Sequence, residues 1–320
     1  MTVRIINGDC RAVLAGLPAE WVNCCVTSPP YFGLRDYGIA EQIGLEATPE
    51  AFVAELVAVF REVRRVLRDD GTLWLNLGDS YAGSGKGGNP EEGKQSTNKG
   101  SQTIGVLYGT GMTAREAAVT NVTRKTFDGI KAKDLIGIPW RVAFALQADG
   151  WYLRQDIIWS KPNPMPESVR DRCTKAHEYL FLLSKSPTYH CDMAAIAEPG
   201  GGGGRFNGSP TYVADDRNDA GSRNRDEADT RNKRSVWTVA TQPFKDAHFA
   251  TFPPALIEPC ILAGCPVGGV VLDPFGGAGT TGLVADRLQR DAVLIELNHS
   301  YAAMARARIQ GDAPLFAEVA

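Results

Sequence analysis

Hydrophobic positions along the first eighty residues follow two spacings, and each spacing predicts a different element. Short runs rich in β-branched residues at 3–6 and 21–27 predict strands, because such side chains pack well on a pleated surface. Apolar residues then recur every three or four positions after Thr48, which predicts a helix capped by that residue. We expect this helix to end near 69–71, and the apolar run at 72–77 predicts a buried strand. Strand, strand, helix and strand in this order are typical of a parallel α/β sheet.

The same alternation returns in the last seventy residues and, less regularly, in the middle of the chain. Predicted helices cover 139–148, 251–263, 280–288 and 298–309, and predicted strands cover 152–159, 178–184, 269–272 and 292–296. Two stretches rich in Gly, Ser, Asn and charged residues interrupt the pattern, at about 81–121 and 200–234. Structureless stretches of that length inside a domain are either functional or disordered. We therefore expect two α/β halves that flank a less regular middle.

The composition of the chain excludes several classes of protein. Its 320 residues are 43% hydrophobic and 22% charged, which is typical of a globular protein and not of a disordered or fibrous one. Seven cysteines without a Cys-x-x-Cys pair fit neither a zinc ribbon nor a secreted disulfide scaffold, and the scattered histidines predict no metal site. Because no signal peptide and no apolar run of about 18 residues is found, we expect a cytoplasmic protein without a membrane span.

Charge is distributed unevenly along the chain. The formal net charge is -3, but residues 80–240 hold 22 Lys and Arg against 18 Asp and Glu. The rest of the chain is therefore acidic, and the middle is the part that would face an anionic partner. A solvated loop surface is the alternative interpretation of the same excess.

A glycine-rich turn lies between a predicted strand and a predicted helix near the carboxyl end of the chain. It reads Asp-Pro-Phe-Gly-Gly-Ala-Gly-Thr-Thr and spans 273–281. Open α/β sheets bind nucleotides at such turns, because glycine lets the main chain approach the ligand closely. The next predicted strand ends at Glu296, a carboxylate suited to two ribose hydroxyls. Glycines at 277, 279 and 282 also fit the spacing of a dinucleotide-binding turn, although Asp-Pro-Phe and the paired threonines are not typical of one. An ordinary glycine-rich turn between a strand and a helix is the alternative interpretation.

A second motif, Ser28-Pro29-Pro30-Tyr31, directly follows the predicted strand at 21–27. Two consecutive prolines restrict the main chain and donate no hydrogen bonds, so the carbonyl before them becomes a rigid acceptor beside the Ser28 hydroxyl. Two acceptors and an aromatic ring are suited to hold the exocyclic amine of a nucleobase. Holding both N–H bonds outside the plane of the base would localise the lone pair of the nitrogen. Taken alone, the four residues also fit an ordinary loop turn.

Together, the two motifs resemble those of the S-adenosylmethionine-dependent DNA amino-methyltransferases, in the permuted β group whose catalytic motif precedes the cofactor turn. The resemblance implies an α/β, Rossmann-like methyltransferase sheet, mostly parallel and circularly permuted, with an inserted target-recognition region. It implies S-adenosylmethionine as the cofactor. Segments at 75–81, 159–163 and 177–179 resemble further blocks of the family.

The resemblance assigns the cofactor to residues from both ends of the chain. It implies that Phe275 and the glycine main chain line the methionine and adenosine moieties, and that Asp273 shapes the turn. Glu296 would take the ribose and Asp9 the adenine amine, while the segment 248–253 would close over the methionine end. The predicted cofactor residues are Asp9, Phe252, Pro253, Asp273, Phe275, Gly277, Gly279, Thr280, Thr281, Glu296 and Asn298.

The resemblance makes Ser28, Pro29, Pro30 and Tyr31 the catalytic residues and double-stranded DNA the substrate. The target base would be flipped out of the duplex, and Tyr31 would stack on it. In this family, serine at the first motif position is typical of methylation at N4 of cytosine, and aspartate of methylation at N6 of adenine. We therefore predict a site-specific cytosine-N4 DNA methyltransferase, with an N6-adenine enzyme as the alternative. A non-catalytic DNA- or nucleotide-binding relative is a more distant alternative.

The resemblance also predicts how the chain is divided. Residues 1–80 and 131–197 would form the catalytic half and 241–320 the cofactor-binding half, with a flexible insert at 81–130 and a target-recognition insert at 198–240. Four basic residues that border the matched blocks are candidates for DNA contact: Arg154, Lys161, Arg170 and Arg172. Such an enzyme would be bacterial or phage-encoded and would act beside a cognate restriction endonuclease or alone. The recognised sequence and the oligomeric state stay open.

Overall fold

The computed structural model describes residues 1–34, 39, 41–82, 129–200, 230–242, 251–312 and 318–319. Its strands are β1 (Thr2–Asn7), β2 (Val22–Thr27), β3 (Leu67–Leu77), β4 (Tyr152–Ser160), β5 (His177–Ser184), β6 (Glu198–Pro199), β7 (Thr230–Arg231), β8 (Val236–Thr238), β9 (Val270–Asp273), β10 (Asp291–Glu296) and β11 (Glu318–Val319). Its helices are α1 (Cys10–Ala15), α2 (Pro49–Val66), α3 (Ile138–Ala148), α4 (Pro254–Gly264), α5 (Thr280–Arg287) and α6 (His299–Asp312).

The main sheet is mostly parallel, as predicted, and has the strand order β11-β1-β10-β9-β2-β3-β5-β4-β8. β2 pairs in parallel with β9 on one side and with β3 on the other, and β5 runs antiparallel to its neighbours β3 and β4. Helices cover both faces of the sheet: α1, α2 and α3 pack on one face, and α4, α5 and α6 on the other. This doubly wound arrangement confirms the predicted fold class. The middle of the chain, which we expected to be less regular, contributes three strands to the same sheet.

The strand order places a switch point between β9 and β2. From β9 the chain passes through α5 to β10, and from β2 through α2 to β3, so the two connections leave in opposite directions. Crevices for ligands form at such points, outside the carboxyl ends of the strands. β2 ends at Thr27 and β9 ends at Asp273, where the two predicted motifs begin. The fold therefore brings both motifs to one edge of the sheet, although 246 positions separate these two residues.

Local sequence explains where the larger elements begin. The Thr48 hydroxyl accepts a hydrogen bond from the main-chain N–H of Ala51, and Pro49 opens α2, as predicted. The apolar stripe of this helix is buried against the sheet: Phe52, Leu56, Phe60 and Val63. β2 is buried along almost its whole length, which is expected of a parallel strand covered on both faces.

Three boundaries differ from the prediction. α2 ends at Val66 and β3 already begins at Leu67, rather than near 69–71, because Leu67 is buried and pairs with Val22 of β2. α4 begins at Pro254 rather than at 251, because a residue that precedes a proline is held in an extended conformation. α1 has six residues, too few for a periodic pattern to predict it.

The two predicted inserts lie mostly outside the described residues, which omit 83–128 and 201–229. Where the chain is described again, β7 pairs with β6, and β8 adds to the edge of the main sheet beside β4. In the part of the chain that the structure describes, no helix is long and apolar enough to cross a membrane.

Candidate functional site

A cavity opens at the carboxyl ends of β1, β2, β9 and β10, at the switch point of the sheet. Of the predicted residues, those that line it are Asp9, Ser28, Pro29, Pro30, Tyr31, Phe252, Asp273, Phe275, Gly277, Thr280, Glu296 and Asn298. Its described lining does not include Pro253, Gly279 or Thr281. The catalytic motif and the glycine-rich turn therefore face one cavity, which residues from both ends of the chain enclose.

Asp273 joins the glycine-rich turn to the catalytic turn. Its buried carboxylate accepts hydrogen bonds from Thr27 Oγ1 (2.6 Å), Thr281 Oγ1 (2.6 Å) and the main-chain N–H of Phe275 (3.0 Å). Burial raises the pKa of Asp273, and the three donated hydrogen bonds oppose that shift. Thr281 is itself buried, so it supports the shape of the turn instead of the cavity wall, where we had expected it.

Glycine is required at 277 and 279 of the turn for different structural reasons. Gly277 and Gly279 adopt φ angles of 50° and 76°, a region that favours glycine. A Cβ atom on Gly279 would lie 2.8 Å from Ala305 Cβ in α6, so helix packing also requires glycine there. Gly279 is thus a packing position and not a lining one, whereas Gly277 lines the cavity.

Glu296 lies beside the turn at the end of β10. Its Oε2 accepts a hydrogen bond from Gly277 N (2.8 Å) and its Oε1 one from Asn298 N (2.7 Å). Burial raises the pKa of Glu296, and the two main-chain hydrogen bonds oppose that shift. A carboxylate offers about four acceptor positions, so the group can also accept from ligand hydroxyls. Asn298 accepts in turn from Ser300 N (2.9 Å) at the start of α6.

Asp9 caps α1 and is tied to Arg11, a residue that the sequence did not single out. The guanidinium of Arg11 donates to both carboxylate oxygens of Asp9, at 2.6 to 3.0 Å. Burial would raise the pKa of Asp9, but the hydrogen bonds and the charge of Arg11 outweigh it and lower the pKa. Arg11 also donates to the main-chain oxygen of Glu41 (2.9 Å), a residue of the cavity lining. It therefore connects the amino-terminal acid to the segment that follows the catalytic turn.

Contacts from outside the motif support the catalytic turn. The hydroxyl of Tyr31 donates to Glu178 Oε2 (2.6 Å), and the tyrosine ring lies against Gly78. Asn76 Nδ2 donates to the same oxygen of Glu178 (3.3 Å), and the ammonium of Lys161 pairs with the other oxygen. The motif tyrosine is therefore part of a polar cluster built from three neighbouring strands.

The sequence-based prediction did not include Glu178 and Asn76, which contact this cluster, or Asp79, which lies in the same segment as Asn76. Asp79 accepts hydrogen bonds from two main-chain N–H groups at the start of α3 (3.0 and 3.1 Å) and has Lys175 Nζ 3.8 Å from its other oxygen. Burial lowers the pKa of Lys175, and the acidic side chains around it oppose that shift. All three residues lie in segments that resemble blocks of the family, and this was the signal that could have found them.

The four basic candidates for DNA contact are not among the residues that line the cavity. Lys161 pairs with Glu178, which in turn accepts a hydrogen bond from the cavity residue Tyr31. Arg172 stacks over a tyrosine ring, with its guanidinium carbon 3.9 Å from the ring centre, and Arg154 donates to a tyrosine hydroxyl (3.2 Å). Arg170 is exposed on the segment between β4 and β5. Residues 205–229, where four arginines alternate with six acidic residues, and residues 248–250 lie outside the described residues.

A doubly wound sheet with a glycine-rich turn and a Ser-Pro-Pro-Tyr turn at one cavity is the arrangement expected of an amino-methyltransferase. A family model described as DNA methylase matches residues 22–307. The chain is 48% identical over 308 residues to the Type II methyltransferase M.XycI of Xanthomonas campestris pv. cyanopsidis, covering 96% of this chain and 88% of the relative. It is 48% identical over 306 residues to the Type II methyltransferase M.SmaI of Serratia marcescens, and the match covers 96% of this chain and 90% of that relative. The chain belongs to the DNA methylase family.

A solved structure supports the fold. The PvuII DNA methyltransferase (cytosine-N4-specific) matches with a TM-score of 0.61 at 18% sequence identity, and the match covers 95% of this chain and 86% of that chain. The likeness extends over almost the whole chain, so the methyltransferase sheet predicted from the two motifs is confirmed.

Membership of this family confirms S-adenosylmethionine as the cofactor. The cavity suits that molecule, since Asp9 and Glu296 offer acceptors for amino and hydroxyl groups and the glycine turn allows close approach of the main chain. Phe252 and Phe275 add apolar surface to the same lining. Among the described residues, no group of three or more His, Cys, Asp or Glu side chains could hold a metal ion.

Proposed function

We propose that this DNA methylase transfers a methyl group to the exocyclic N4 amine of cytosine in double-stranded DNA. The observation that carries the proposal is the position of Ser28, which lines the same cavity as the glycine-rich turn. A serine at this position, in place of aspartate, favours cytosine N4 over adenine N6 as the acceptor.

Ser28 supplies two acceptors for the amine, its hydroxyl and its main-chain carbonyl. The lone pair of the N4 amine is delocalised into the base, so the free amine is a poor nucleophile. When both N–H groups donate to acceptors outside the plane of the base, the lone pair becomes localised on the nitrogen. Pro29 and Pro30 keep the acceptors in place, because the proline ring restricts the φ angle.

S-Adenosylmethionine supplies the methyl group on a positively charged sulfur, so the chain needs no covalent nucleophile. Glu296 would accept hydrogen bonds from the ribose hydroxyls through its remaining acceptor positions, and Asp9 one from the adenine amine. Phe252 and Phe275 would cover apolar parts of the cofactor. Asp273 would keep the turn and Ser28 at a constant separation, because its carboxylate accepts hydrogen bonds from Thr27 at the end of β2 and from Thr281 at the start of α5.

A cytosine inside a duplex cannot reach this cavity, so the base must be flipped out of the helix. Tyr31 lines the cavity beside Ser28, and its ring would stack on the flipped base. Arg170 is exposed near this edge and would contact the phosphate backbone. The two inserts, at 81–130 and 198–240, would select the DNA sequence.

Product analysis tests the proposal. Unmethylated plasmid DNA is incubated with the protein and S-adenosylmethionine, digested to nucleosides, and analysed by chromatography and mass. We expect N4-methylcytosine, which retention distinguishes from the 5-methyl isomer of equal mass. N6-methyladenine would overturn the assignment of the base and leave the family assignment intact. Absence of any transferred methyl group would support a non-catalytic relative.

Replacement of Ser28 tests the proposed acceptor. Ser28→Ala should abolish methyl transfer and leave the affinity for S-adenosylmethionine, measured by calorimetry, within about twofold of the wild type, because only the base loses a partner. Thr188→Ala is the control, since it removes an exposed hydroxyl that lies after β5 and does not line the cavity. Full activity of Ser28→Ala would contradict the role of this serine.

A further inference from the structure

A carboxylate outside the predicted motifs, Glu178, is bonded to the proposed base-stacking tyrosine. The hydroxyl of Tyr31 donates to Glu178 Oε2 at 2.6 Å, a distance typical of a charge-assisted O–H···O⁻ hydrogen bond. The side chains of Glu178 and its cationic partner Lys161 are only 14% and 17% exposed. Because the cluster is largely shielded from water, its hydrogen bonds are stronger than they would be at the surface.

The ring of Tyr31 is restricted at two points. Its hydroxyl is held by Glu178, and its edge lies against Gly78, where a Cβ atom would come within 2.5 Å of Cε2 and 3.0 Å of Cζ. The main chain after β3 therefore prevents movement of the ring in one direction, and the hydrogen bond to Glu178 resists movement in the other. A ring fixed in this way presents a constant plane to a stacked base.

Glu178 is itself held by the neighbouring strands. It lies on β5 and pairs in the sheet with Trp159 of β4, and Lys161 directly follows β4. The ammonium of Lys161 lies 4.3 Å from the centre of the Trp159 ring, which limits where the charge can move. Asn76 of β3 donates to the carboxylate from the other side. Three adjacent strands thus fix the acceptor that Tyr31 uses.

We propose that Glu178 is a positioning residue that holds the ring of Tyr31 in the plane needed for stacking on the flipped base. The inference rests on the proposed function, because it assigns a partner to the tyrosine of the same site. Glu178 acts through the Tyr31 hydroxyl and does not contact the reacting atoms. If Glu178 served only the stability of the sheet, removal of the Tyr31 hydroxyl would leave methyl transfer unchanged.

Four variants test this: Glu178→Ala, Glu178→Gln, Tyr31→Phe and the double variant Glu178→Ala/Tyr31→Phe. Loss of a hydrogen bond to a charged group corresponds to a fall in kcat of about 10- to 100-fold, which we expect for Glu178→Ala and for Tyr31→Phe. The double variant should fall no further than Tyr31→Phe, because both changes remove one interaction. Glu178→Gln should recover part of kcat, because an amide oxygen still accepts from the hydroxyl.

The measurements are transfer of tritiated methyl groups to unmethylated plasmid DNA, the dissociation constant of S-adenosylmethionine, and Tm. The dissociation constant should stay within about twofold of the wild type in every variant. Glu62→Ala is the matched control, because it removes a half-exposed carboxylate whose ion pair with Arg65 lies on α2, and its kcat should be unchanged.

Wild-type kcat in Tyr31→Phe would overturn the proposal, and this variant keeps Glu178 in place even where Glu178→Ala fails to fold. A double variant whose loss equals the product of the two single losses would overturn it as well. Failure of the proposed function has a different signature: the wild-type protein itself would transfer no methyl group to cytosine.

Discussion

Gly78 provides a test of the tyrosine ring that removes no polar group of the site. An alanine Cβ at this position would lie 2.5 Å from Tyr31 Cε2, 3.0 Å from Cζ and 3.1 Å from Cδ2. Carbon atoms in contact prefer about 3.5–4.0 Å, so the overlap with the ring is about 1 Å. All three of the nearest atoms belong to Tyr31, and Gly78 is not among the residues with positive φ. The conflict created by Gly78→Ala is therefore with the ring and not with the backbone.

The size of the effect follows from the hydrogen bond that the shift would break. A displacement of about 1 Å directed away from Glu178 would lengthen the 2.6 Å bond from Tyr31 to Glu178 beyond hydrogen-bonding distance. Hydrogen bonds to charged groups contribute about 1.5–3 kcal/mol. If that contribution is made in the transition state, kcat should fall by about 10- to 100-fold. A misplacement of about 1 Å in an active site can lower the reaction rate by about 100-fold.

The assay is methyl transfer to plasmid DNA, together with calorimetry of S-adenosylmethionine binding and a melting curve. Gly78 does not line the described cavity, so cofactor affinity should remain within about twofold of the wild type. Gly311→Ala is the control, because a Cβ there would meet nothing within 4 Å and alanine favours the helix by about 0.5–1 kcal/mol. A Gly78→Ala enzyme with kcat within about twofold of the wild type would refute the importance of the ring position.

Two further predictions concern the cofactor side of the cavity. Thr281→Val should lower the free energy of unfolding, measured by urea titration, by about 1.5–3 kcal/mol, because Asp273 loses a buried hydrogen bond. An unchanged free energy of unfolding would contradict the role of Thr281 in supporting the turn. Burial raises the pKa of Glu296 above its ordinary 4.5, so the folded protein binds this proton more tightly than the unfolded chain does. The contribution of Glu296 to the free energy of unfolding should therefore decrease as pH rises from 4.5 through the folded pKa. Cofactor affinity should increase over the same window, because the ionised carboxylate is the better acceptor, and calorimetry should find a flatter profile in Glu296→Gln.

The position of both motifs at one cavity was predictable from the sequence. The apolar run before Ser28 and the one before Asp273 have the length and composition of buried parallel strands, and the carboxyl ends of parallel strands lie at the same edge of a sheet. The helix after Thr48 was predictable because its cap, its first proline and its apolar stripe agree. Such local signals act within about 20 residues of the chain.

Contacts made across the sheet were not predictable in the same way. The bond between Tyr31 and Glu178 joins residues 147 positions apart, and it depends on the register of β5 between β3 and β4. The role of Gly279 depends on the approach of α6, and that of Thr281 on the depth at which Asp273 is buried. A sequence motif marks these residues as a group but does not say which of them face the ligand and which support the turn.

The hydrogen bond between Thr27 and Asp273 connects the two turns that hold the base and the cofactor in the proposed function. A methyl transfer between two bound molecules gains rate when the enzyme keeps donor and acceptor at reacting distance, and this requires the two binding turns to move as one body. Thr27 directly precedes Ser28, and Asp273 begins the glycine-rich turn, so the 2.6 Å hydrogen bond between Thr27 and Asp273 connects the proposed amine acceptor to the glycine-rich turn without an intervening loop. Because β2 and β9 also pair side by side, the separation of the turns is set by the spacing of adjacent strands. A circular permutation of the chain preserves this pair of neighbours, which explains why the catalytic motif can precede the cofactor turn without loss of the site.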